Sequence, residues 1–323
     1  MTALDLDGID WDALRRIRTG FLDGTAGSGS YWTSESDLES YDRTFGERIG
    51  WKWDHVLDEL ELRGWRPPDG TVLDWACGSG IAGRRFVARF GGALDSWDRS
   101  TKAVTFARAK ARDDDVLLGA VDGDPATLLI SHVIGELPDV ELTRLVDLAR
   151  RATAVVWVEP GDHASSRALI AARERLIGEL SVVAPCTHQN ACPMAVEGEI
   201  RDWCHHFARA PWEVFADPGW ARFSNEMGID LHSTPLSFLV MDRRPVPALP
   251  AGTMHLVGSP RVHKPHVLVY GCDDAGLHAR RLTKRRHPEL YRQAKKGNLD
   301  AMAEWTAEGE EIVVWKVAGG RSD

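Results

Sequence analysis

Four cysteines in the second half of the chain are the residues best suited to chemistry. Cys186, Cys192 and Cys204 lie within nineteen residues, and Cys272 follows alone. Prolines beside two of them predict an irregular loop, where thiolate ligands usually converge. Thiolates are ligands for both zinc and iron–sulfur clusters. The pattern therefore predicts a cysteine-rich metal loop, which we place at residues 182–210.

The spacing of these cysteines leaves the identity of the metal open. The gaps between them are five, eleven and sixty-seven residues, whereas zinc sites favour spacings of two to four. Iron–sulfur clusters use four thiolates and can take one from far along the chain. His188, His205 and His206 also permit a mixed Cys/His zinc site. On spacing alone a cluster and a zinc ion are equally favoured, and thiols without a metal are the weakest interpretation.

A glycine-rich turn upstream of the cysteines predicts a cofactor site. The string VLDWACGSGIAG fits the D-x-[GA]-x-G-x-G pattern of class I S-adenosylmethionine-dependent methyltransferases. Glycines there allow close backbone approach to a ligand, and an acid at the next strand end can hold ribose hydroxyls. With His132, the predicted cofactor-binding residues are Asp74, Ala76, Gly78, Gly80 and Asp98.

A nicotinamide-dependent enzyme is the alternative for this turn, because Gly83 completes a G-x-G-x-x-G spacing with Gly78 and Gly80. An acid at Asp74 suits the ammonium group of S-adenosylmethionine and would repel a pyrophosphate. We therefore favour the methyltransferase interpretation.

Polar residues after two later strands point to the same edge of the sheet. His132 follows one predicted strand, and Glu159 and Asp162 follow the next. His132 can act as a base, but a buried histidine bonded to neighbouring backbone is an equal alternative. For Asp162 the alternative is a helix N-cap. None of the motifs typical of base methylation is present, so the catalytic residues stay unknown and the methyl acceptor cannot be read from these positions.

Strand and helix patterns alternate through the middle of the chain. They predict an α/β fold with a doubly wound, mostly parallel, Rossmann-like sheet, extended by the metal loop and by a small antiparallel β module. VLLGAV is the expected third strand. We place an N-terminal helical region at 1–65, the cofactor domain at 66–245 and the basic β module at 252–323.

The charge of the chain is unevenly distributed. The 323 residues carry a formal charge of −9, yet the segment 261–296 alone is +7. Histidines and tyrosines are interleaved in that segment, so we predict that it contacts RNA; a solvated charged surface is the alternative. No segment is apolar over the roughly 20 residues that a bilayer requires. We expect a cytoplasmic protein with no membrane contact, and the oligomeric state is not predictable from the sequence.

The chain resembles the ribosomal small-subunit methyltransferase-like assembly factors, a family of mitochondrial and bacterial proteins. The resemblance covers roughly residues 70–300 and is carried by VLDWACGSG, SHVIGEL, VEPG, APCTHQNACP followed by WCHHFAR, and PRVHKPHVLVYGC. It implies a class I methyltransferase fold and association with the small ribosomal subunit or its RNA. It also implies a 4Fe-4S cluster on Cys186, Cys192, Cys204 and Cys272, with zinc as the alternative. Ala76 departs from the usual glycine of the loop.

These observations together predict an iron–sulfur protein that binds S-adenosylmethionine and acts on the small ribosomal subunit, as an rRNA methyltransferase or an assembly factor. The alternatives are an RNA-binding assembly factor without catalysis, and a small-molecule methyltransferase with a structural zinc site.

Overall fold

A computed structural model defines residues 3–25, 32–195 and 203–317 and contains a large central sheet. Seven strands form this sheet: β1 Thr71–Trp75, β2 Ala93–Trp97, β3 Thr127–Ser131, β4 Ala154–Pro160, β5 Ser181–Ala184, β6 His206–Ala208 and β7 Thr234–Asp242. The order is β2-β1-β3-β4-β7-β5, and the short β6 also pairs with β7. The first four strands of this order are parallel, and β7 is antiparallel to its neighbours.

Alternating side chains of the sheet fill two separate hydrophobic cores. In β3, Leu129 enters the first core, while Leu128 and Ile130 enter the second. In β4, Val156 enters the first core and Trp157 the second. Burial on both faces is why these strands are almost continuously apolar. The expected doubly wound, mostly parallel sheet is confirmed.

Eight helices surround the sheet in the described residues: α1 Trp11–Leu22, α2 Glu35–Tyr41, α3 Glu47–Leu62, α4 Ile81–Phe90, α5 Thr101–Asp113, α6 Asp139–Arg151, α7 His163–Leu176 and α8 Pro218–Met227. Residues of α3, α4 and α5 line the first core, and those of α6 and α7 line the second. A π-helical turn, Asp42–Gly46, leads into α3. The helical N-terminal region therefore packs directly on the sheet through α3.

The C-terminal residues form a small closed barrel. Its elements are β8 Thr253–Leu256, β9 Arg261–Val262, β10 His266–Asp273, β11 Gly276–Thr283, helix α9 Pro288–Lys295, β12 Met302–Glu308 and β13 Glu311–Val317. The strand order is β11-β13-β12-β8-β10-β9, and β10 also pairs with β11, which closes the ring. Val267, Val269, Leu282 and Ile312 fill the interior with Tyr291 of α9.

Two expectations about strands are corrected by the structure. The segment VLLGAV is not a strand, because its contact with β2 is a single bridge between Leu94 and Leu118. Gly119 lies so close to Ala93 that a side chain there would meet its Cβ at 2.9 Å, and the N–H of Val121 donates to the side chain of Asp95 instead of to strand backbone. The C-terminal module is not wholly antiparallel, because β11 and β13 run parallel at Arg281 and Glu311.

In the three described ranges, the helices are all too short or too polar to span a bilayer.

Candidate functional site

The turn between β1 and α4 is built from left-handed backbone. Ala76, Gly78 and Gly80 have φ of 57°, 52° and 80°. An added Cβ at Gly80 would lie 2.8 Å from the Cβ of Ala107 in α5. At Gly78 the nearest atom would be Cζ2 of Trp32, at 3.7 Å. Gly80 is thus required by packing, whereas Gly78 leaves room beside the turn. Alanine in this conformation costs about 1–2 kcal/mol, so the turn imposes strain at Ala76.

Asp98, which directly follows β2, is tied to the glycine turn. The backbone N–H of Gly78 donates to its Oδ2 at 3.0 Å, and that of Ser100 donates to its Oδ1 at 2.8 Å. Each oxygen of a carboxylate can accept two hydrogen bonds. Asp98 therefore keeps acceptor capacity on the side that lines the neighbouring cavity.

A cavity of about 300 Å³ opens beside the turn. Aromatic rings form much of its wall, namely Trp32, Tyr41, Trp75 and Trp97. The rings of Trp75 and Trp97 stack with centroids 5.2 Å apart and planes 19° apart, and Trp97 is 47% exposed. The volume lies at the lower end of the range for small-ligand pockets.

Four of the predicted cofactor residues, Ala76, Gly78, Asp98 and His132, line this cavity together. The structure does not place the other two, Asp74 and Gly80, on its wall. Asp74 is fully buried behind the turn, where its Oδ2 accepts the N–H of Gly83 at 3.0 Å. Within the described ranges its Oδ1 has no hydrogen-bond partner. Burial, reinforced by the charge of Asp98, raises the pKa of Asp74 to about 7.

His132 lies on the far wall of the cavity in a strained conformation with φ of 55°. Its N–H donates to the carbonyl of Val158 at 2.9 Å, and its Nε2 lies 3.3 Å from the Nζ of Lys52. Burial and the neighbouring Arg48 lower the pKa of Lys52 to about 7. Burial and Lys52 also lower the pKa of His132 well below its ordinary value. Near neutral pH His132 is therefore neutral, and Lys52 is the member of the pair that titrates. Nothing local in the sequence pointed to Lys52.

Glu159, the penultimate residue of β4, and Asp162, which follows the strand, both have structural partners. The Oε1 of Glu159 accepts the N–H groups of Val133 and Ile134, and the indole N–H of Trp157 at 2.7 Å. Burial raises the pKa of Glu159 to about 7. Asp162 is the N-cap of α7 and accepts the N–H of Ser165 at 2.9 Å. The N-cap interpretation of Asp162 is therefore the one that the structure adopts.

The four downstream cysteines come together between α7, β7 and the barrel. Cys186, Cys192 and Cys204 border one small cavity of about 30 Å³. Cys192, Cys204 and Cys272 pack against one hydrophobic cluster, in which Cys272 arrives from β10. All four are free thiols. We call this group the cysteine cluster.

The surroundings of the cysteine cluster control the charge of its thiols. Burial raises the pKa of Cys272 to about 12 with help from Cys186 and Cys192. Burial and the other three thiols raise the pKa of Cys204 well above its ordinary value. Arg173 of α7 is a cation that interacts with the cluster; burial lowers its pKa, but Cys186 and Glu174 outweigh that effect and raise it.

The described residues contain no group of three His, Cys, Asp or Glu side chains already arranged around a single metal ion. His188 and His206 lie near the cluster, with their Nε2 atoms 4.0 Å from the Sγ of Cys272 and 3.6 Å from the Sγ of Cys204. His205 is turned away, and its Nδ1 lies 2.8 Å from the carbonyl of Trp203.

A buried ionic network next to the cysteine cluster connects α3 with the barrel. Glu59 accepts from Arg63 Nε at 2.9 Å, and its Oε2 lies 3.0 Å from the Nε2 of His255 in β8. Arg63 also donates to the carbonyls of Val183 and Pro185, at 2.8 and 2.6 Å. We call Glu59, Arg63 and His255 the joint network. It fixes the start of the cysteine loop and the first barrel strand on one helix.

Most of the basic side chains counted between residues 261 and 296 are exposed on the barrel. Arg281 pairs with Glu310 and Arg286 with Glu311, both at the β12–β13 turn. The guanidinium of Arg261 lies 4.8 Å from the ring centroid of Tyr270. The segment is therefore a charged surface in which acids of β13 offset part of the positive charge.

The strand order, the glycine turn and the adjoining cavity define a protein with the class I methyltransferase fold. A family profile described as "Mitochondrial small ribosomal subunit Rsm22" matches residues 97–302. That is 206 of the 323 residues. The chain belongs to the Rsm22 family.

Several solved structures that resemble the chain are methyltransferases. The magnesium protoporphyrin IX methyltransferase of Synechocystis PCC 6803, with bound S-adenosylmethionine, is 13% identical; the match covers 74% of this chain and 100% of that one, with a TM-score of 0.40. The precorrin-6y C5,15-methyltransferase of Geobacter metallireducens is 12% identical, with coverage of 59% and 88% and a TM-score of 0.36. A methyltransferase of Aquifex aeolicus is 15% identical, with coverage of 47% and 92% and a TM-score of 0.36. No curated protein matches the chain.

Proposed function

We propose that this chain binds S-adenosylmethionine beside the glycine turn and acts on the small ribosomal subunit, as an rRNA methyltransferase or an assembly factor. The observation that carries the cofactor assignment is the cavity in which Ala76, Gly78, Asp98 and His132 meet. The ribosomal assignment is supported by the description of the family to which the chain belongs. We also propose a cytoplasmic location. The proposed boundaries are 1–65 for the N-terminal helical region, 66–245 for the cofactor domain and 252–323 for the C-terminal β module.

The cavity residues divide the work of binding. Asp98 accepts hydrogen bonds from the ribose hydroxyls while the N–H of Gly78 keeps its carboxylate in place. Gly78 leaves space for the ligand against the turn, and the exposed face of Trp97 offers a surface on which an adenine ring stacks. Asp74 does not contact the ligand; it holds α4 against the turn by accepting the N–H of Gly83. S-adenosylmethionine would supply an electrophilic methyl group.

Isothermal calorimetry with S-adenosylmethionine and its demethylated product tests the cofactor site. We expect Asp98→Ala to weaken binding by at least tenfold, because a hydrogen bond to a charged group contributes about 1.5–3 kcal/mol. Asp95→Ala is the matched control, since Asp95 lies on the same strand and pairs with Arg108 instead of lining the cavity. Equal losses in the two variants, or no binding by the unaltered protein, would reject the site.

Catalysis and assembly without catalysis are separated by transfer assays on small-subunit particles. The Lys52–His132 pair favours an enzyme, because a neutral imidazole borders the cavity and the amine behind it, Lys52, has a pKa lowered to about 7. Radiolabel transfer that His132→Ala abolishes at saturating S-adenosylmethionine would establish the methyltransferase. Association with particles without methyl transfer would establish an assembly factor. Methyl transfer to a small molecule alone would establish a small-molecule methyltransferase.

We further propose that the cysteine cluster holds a 4Fe-4S cluster through Cys186, Cys192, Cys204 and Cys272. The donor set fits, because four free thiols from the loop and the barrel converge beside the cation of Arg173. Burial raises the pKa of Cys192, Cys204 and Cys272, so these three thiols stay neutral unless a metal stabilises their thiolates. The bound group would supply a rigid cross-link between the sheet and the barrel. Zinc on the same thiols is the alternative.

Iron, zinc and sulfide analysis of anaerobically purified protein distinguishes these groups. We expect brown protein with visible charge-transfer absorbance, which Cys272→Ser removes. Cys77→Ser is the control, because Cys77 is the fifth cysteine and borders the cofactor cavity instead. Colourless protein with stoichiometric zinc, or absorbance that survives Cys272→Ser, would reject the iron–sulfur assignment.

A further inference from the structure

The connectivity of the C-terminal barrel identifies its type. Five strands close in the order β8-β10-β11-β13-β12, and α9 lies between β11 and β12. Within this ring only β11 and β13 run parallel, and the other four pairs are antiparallel. This is the arrangement of the OB-fold, a five-stranded barrel whose second and third strands form a ligand-binding face. Here those strands are β10 and β11.

The side chains on the outer face of β10 and β11 follow from the strand register. Val267 and Val269 point into the barrel core, so His266, Leu268 and Tyr270 point outward. Arg281 lies opposite Leu268, and Thr283 lies opposite His266. The outer face therefore combines rings, an apolar side chain and a guanidinium.

The loop before β10 adds a second row to this face. Arg261, in β9, pairs with Leu268 and places its guanidinium over the ring of Tyr270. The ring of His263 stacks on that of His266, with centroids 4.7 Å apart and planes 25° apart. We call these side chains the barrel face: Arg261, His263, His266, Leu268, Tyr270 and Arg281. Stacked rings beside cations are the elements with which proteins hold single strands of nucleic acid.

A basic rim closes one end of the barrel face. The N–H of Lys284 donates to the carbonyl of Pro265 at 3.0 Å, and the hydroxyl of Tyr291 donates to the carbonyl of His263 at 2.9 Å. These bonds hold the turn before β10 against the turn after β11. In the part of the chain that the structure describes, Lys264, Lys284 and Arg285 have no carboxylate partner. Their positive charge is available to phosphates.

The other end of the barrel face is covered by the methyltransferase domain. Tyr270, Cys272 and Leu277 pack with Ile170 and Met194 of that domain. The open part of the face therefore runs from Tyr270 to the basic rim, and a ligand that follows it starts beside the cysteine cluster.

We propose that the barrel face binds single-stranded RNA, with bases stacked on the histidine rings and on Tyr270 and with phosphates at Arg261, Lys264 and Lys284. The charge selects a polyanion over the neutral oligosaccharides that other OB-folds bind. The rings select a single strand, because the bases of a duplex are stacked on each other and cannot reach them. This inference rests on the proposed action on ribosomal RNA and adds the form of RNA and the surface that takes it.

Fluorescence anisotropy with the full chain and a labelled ten-nucleotide RNA of mixed sequence tests the proposal. The double variant Lys264→Glu/Lys284→Glu is expected to raise the Kd at least tenfold in 50 mM salt. The slope of log Kd against log salt concentration should also decrease, by the contribution of about two phosphate contacts. His263→Ala/His266→Ala is expected to raise the Kd about fivefold or more with the salt dependence unchanged, since stacking contributes about 1–3 kcal/mol per base. The same RNA annealed to its complement should bind at least tenfold more weakly.

The matched control is Lys316→Glu, an exposed lysine on β13 that lies opposite Glu304 and outside the barrel face. It should change the Kd by less than twofold. The proposed RNA site on the barrel face would be rejected by no binding of the single strand, by equal binding of the duplex, or by an equal loss of affinity in Lys316→Glu. Particle association that survives both double variants would also overturn it and leave the proposed function standing. If the unaltered protein does not associate with small subunits, the proposed function fails. The oligonucleotide titration would still show whether the barrel face binds single-stranded RNA.

Discussion

The cofactor cavity and the joint between sheet and barrel are built in different ways. The cavity depends on a short run of backbone, in which Gly78 and its partner Asp98 are only twenty residues apart. The joint network brings together Glu59 and His255, which are 196 residues apart. A local turn forms with the strand and helix that flank it, whereas the joint forms only when the two domains have met. We expect substitutions in the joint to affect the whole molecule and those in the turn to affect mainly the cavity.

Glu59→Ala provides the strongest test of the joint. Although burial raises the pKa of Glu59, the charges of His255 and Arg63 outweigh it and hold the pKa well below its ordinary value. Removal of one partner from a buried ionic network costs about 3–5 kcal/mol, because the remaining charges stay buried without compensation. Urea unfolding should show a decrease of this size in the free energy of unfolding.

The control for this test is Glu61→Ala, two residues away in α3, where the acid pairs with Arg66 and Arg89 at the surface. Exposed pairs contribute about 0–1 kcal/mol. If the two variants lose equal stability, the joint does not have the importance that its burial suggests.

Asp74→Asn tests the turn, because the carboxyl group of Asp74 is titratable and fully buried. Its pKa in the folded protein is about 7, above the ordinary 3.8. The stability that its protonated form contributes is complete below about pH 4 and is lost as the pH rises through 7. Asparagine keeps an acceptor for the N–H of Gly83 and does not titrate.

The variant should therefore lose less stability than the unaltered protein between pH 4 and pH 8. At about 1.4 kcal/mol for each pKa unit, the gain at pH 8 is at most about 4 kcal/mol. Denaturant unfolding at both pH values measures it. An identical pH dependence in the two proteins would mean that Asp74 is hydrated, contrary to its burial.

The sequence and the structure agree best where the determinants are local. The glycine turn could be predicted because its residues are adjacent and the flanking strand and helix have clear apolar patterns. Lys52 could not be placed beside His132, because they are eighty positions apart in the sequence and the packing of three intervening strands fixes the distance between them. Strand β12 is not predictable because AMAEWTAE alternates weakly, and the parallel contact of β11 with β13 is set by the closure of the ring. The convergence of the cysteines was implied by family resemblance and not by their spacing, since Cys272 reaches the others only through the barrel.

Gly80→Ala and Gly78→Ala are expected to have the smallest effects on stability and to separate packing from ligand binding. Both residues have left-handed backbone, which costs alanine about 1–2 kcal/mol. At Gly80 the new methyl group also overlaps Ala107 of α5, so this variant should lose about 2–3 kcal/mol. Gly78→Ala should lose only about 1 kcal/mol, because the new methyl group makes ordinary contact with Trp32 at 3.7 Å and overlaps no atom.

Affinity for S-adenosylmethionine should follow the opposite order. The methyl group of Gly78→Ala occupies space on the cavity wall, so the Kd measured by calorimetry should rise at least tenfold. Gly80 does not line the cavity, and Gly80→Ala should leave the Kd within about threefold while the protein stays folded. If Gly80→Ala weakens binding more than Gly78→Ala, the ligand approaches the turn from the side of α5, and the cavity beside Asp98 is not its site.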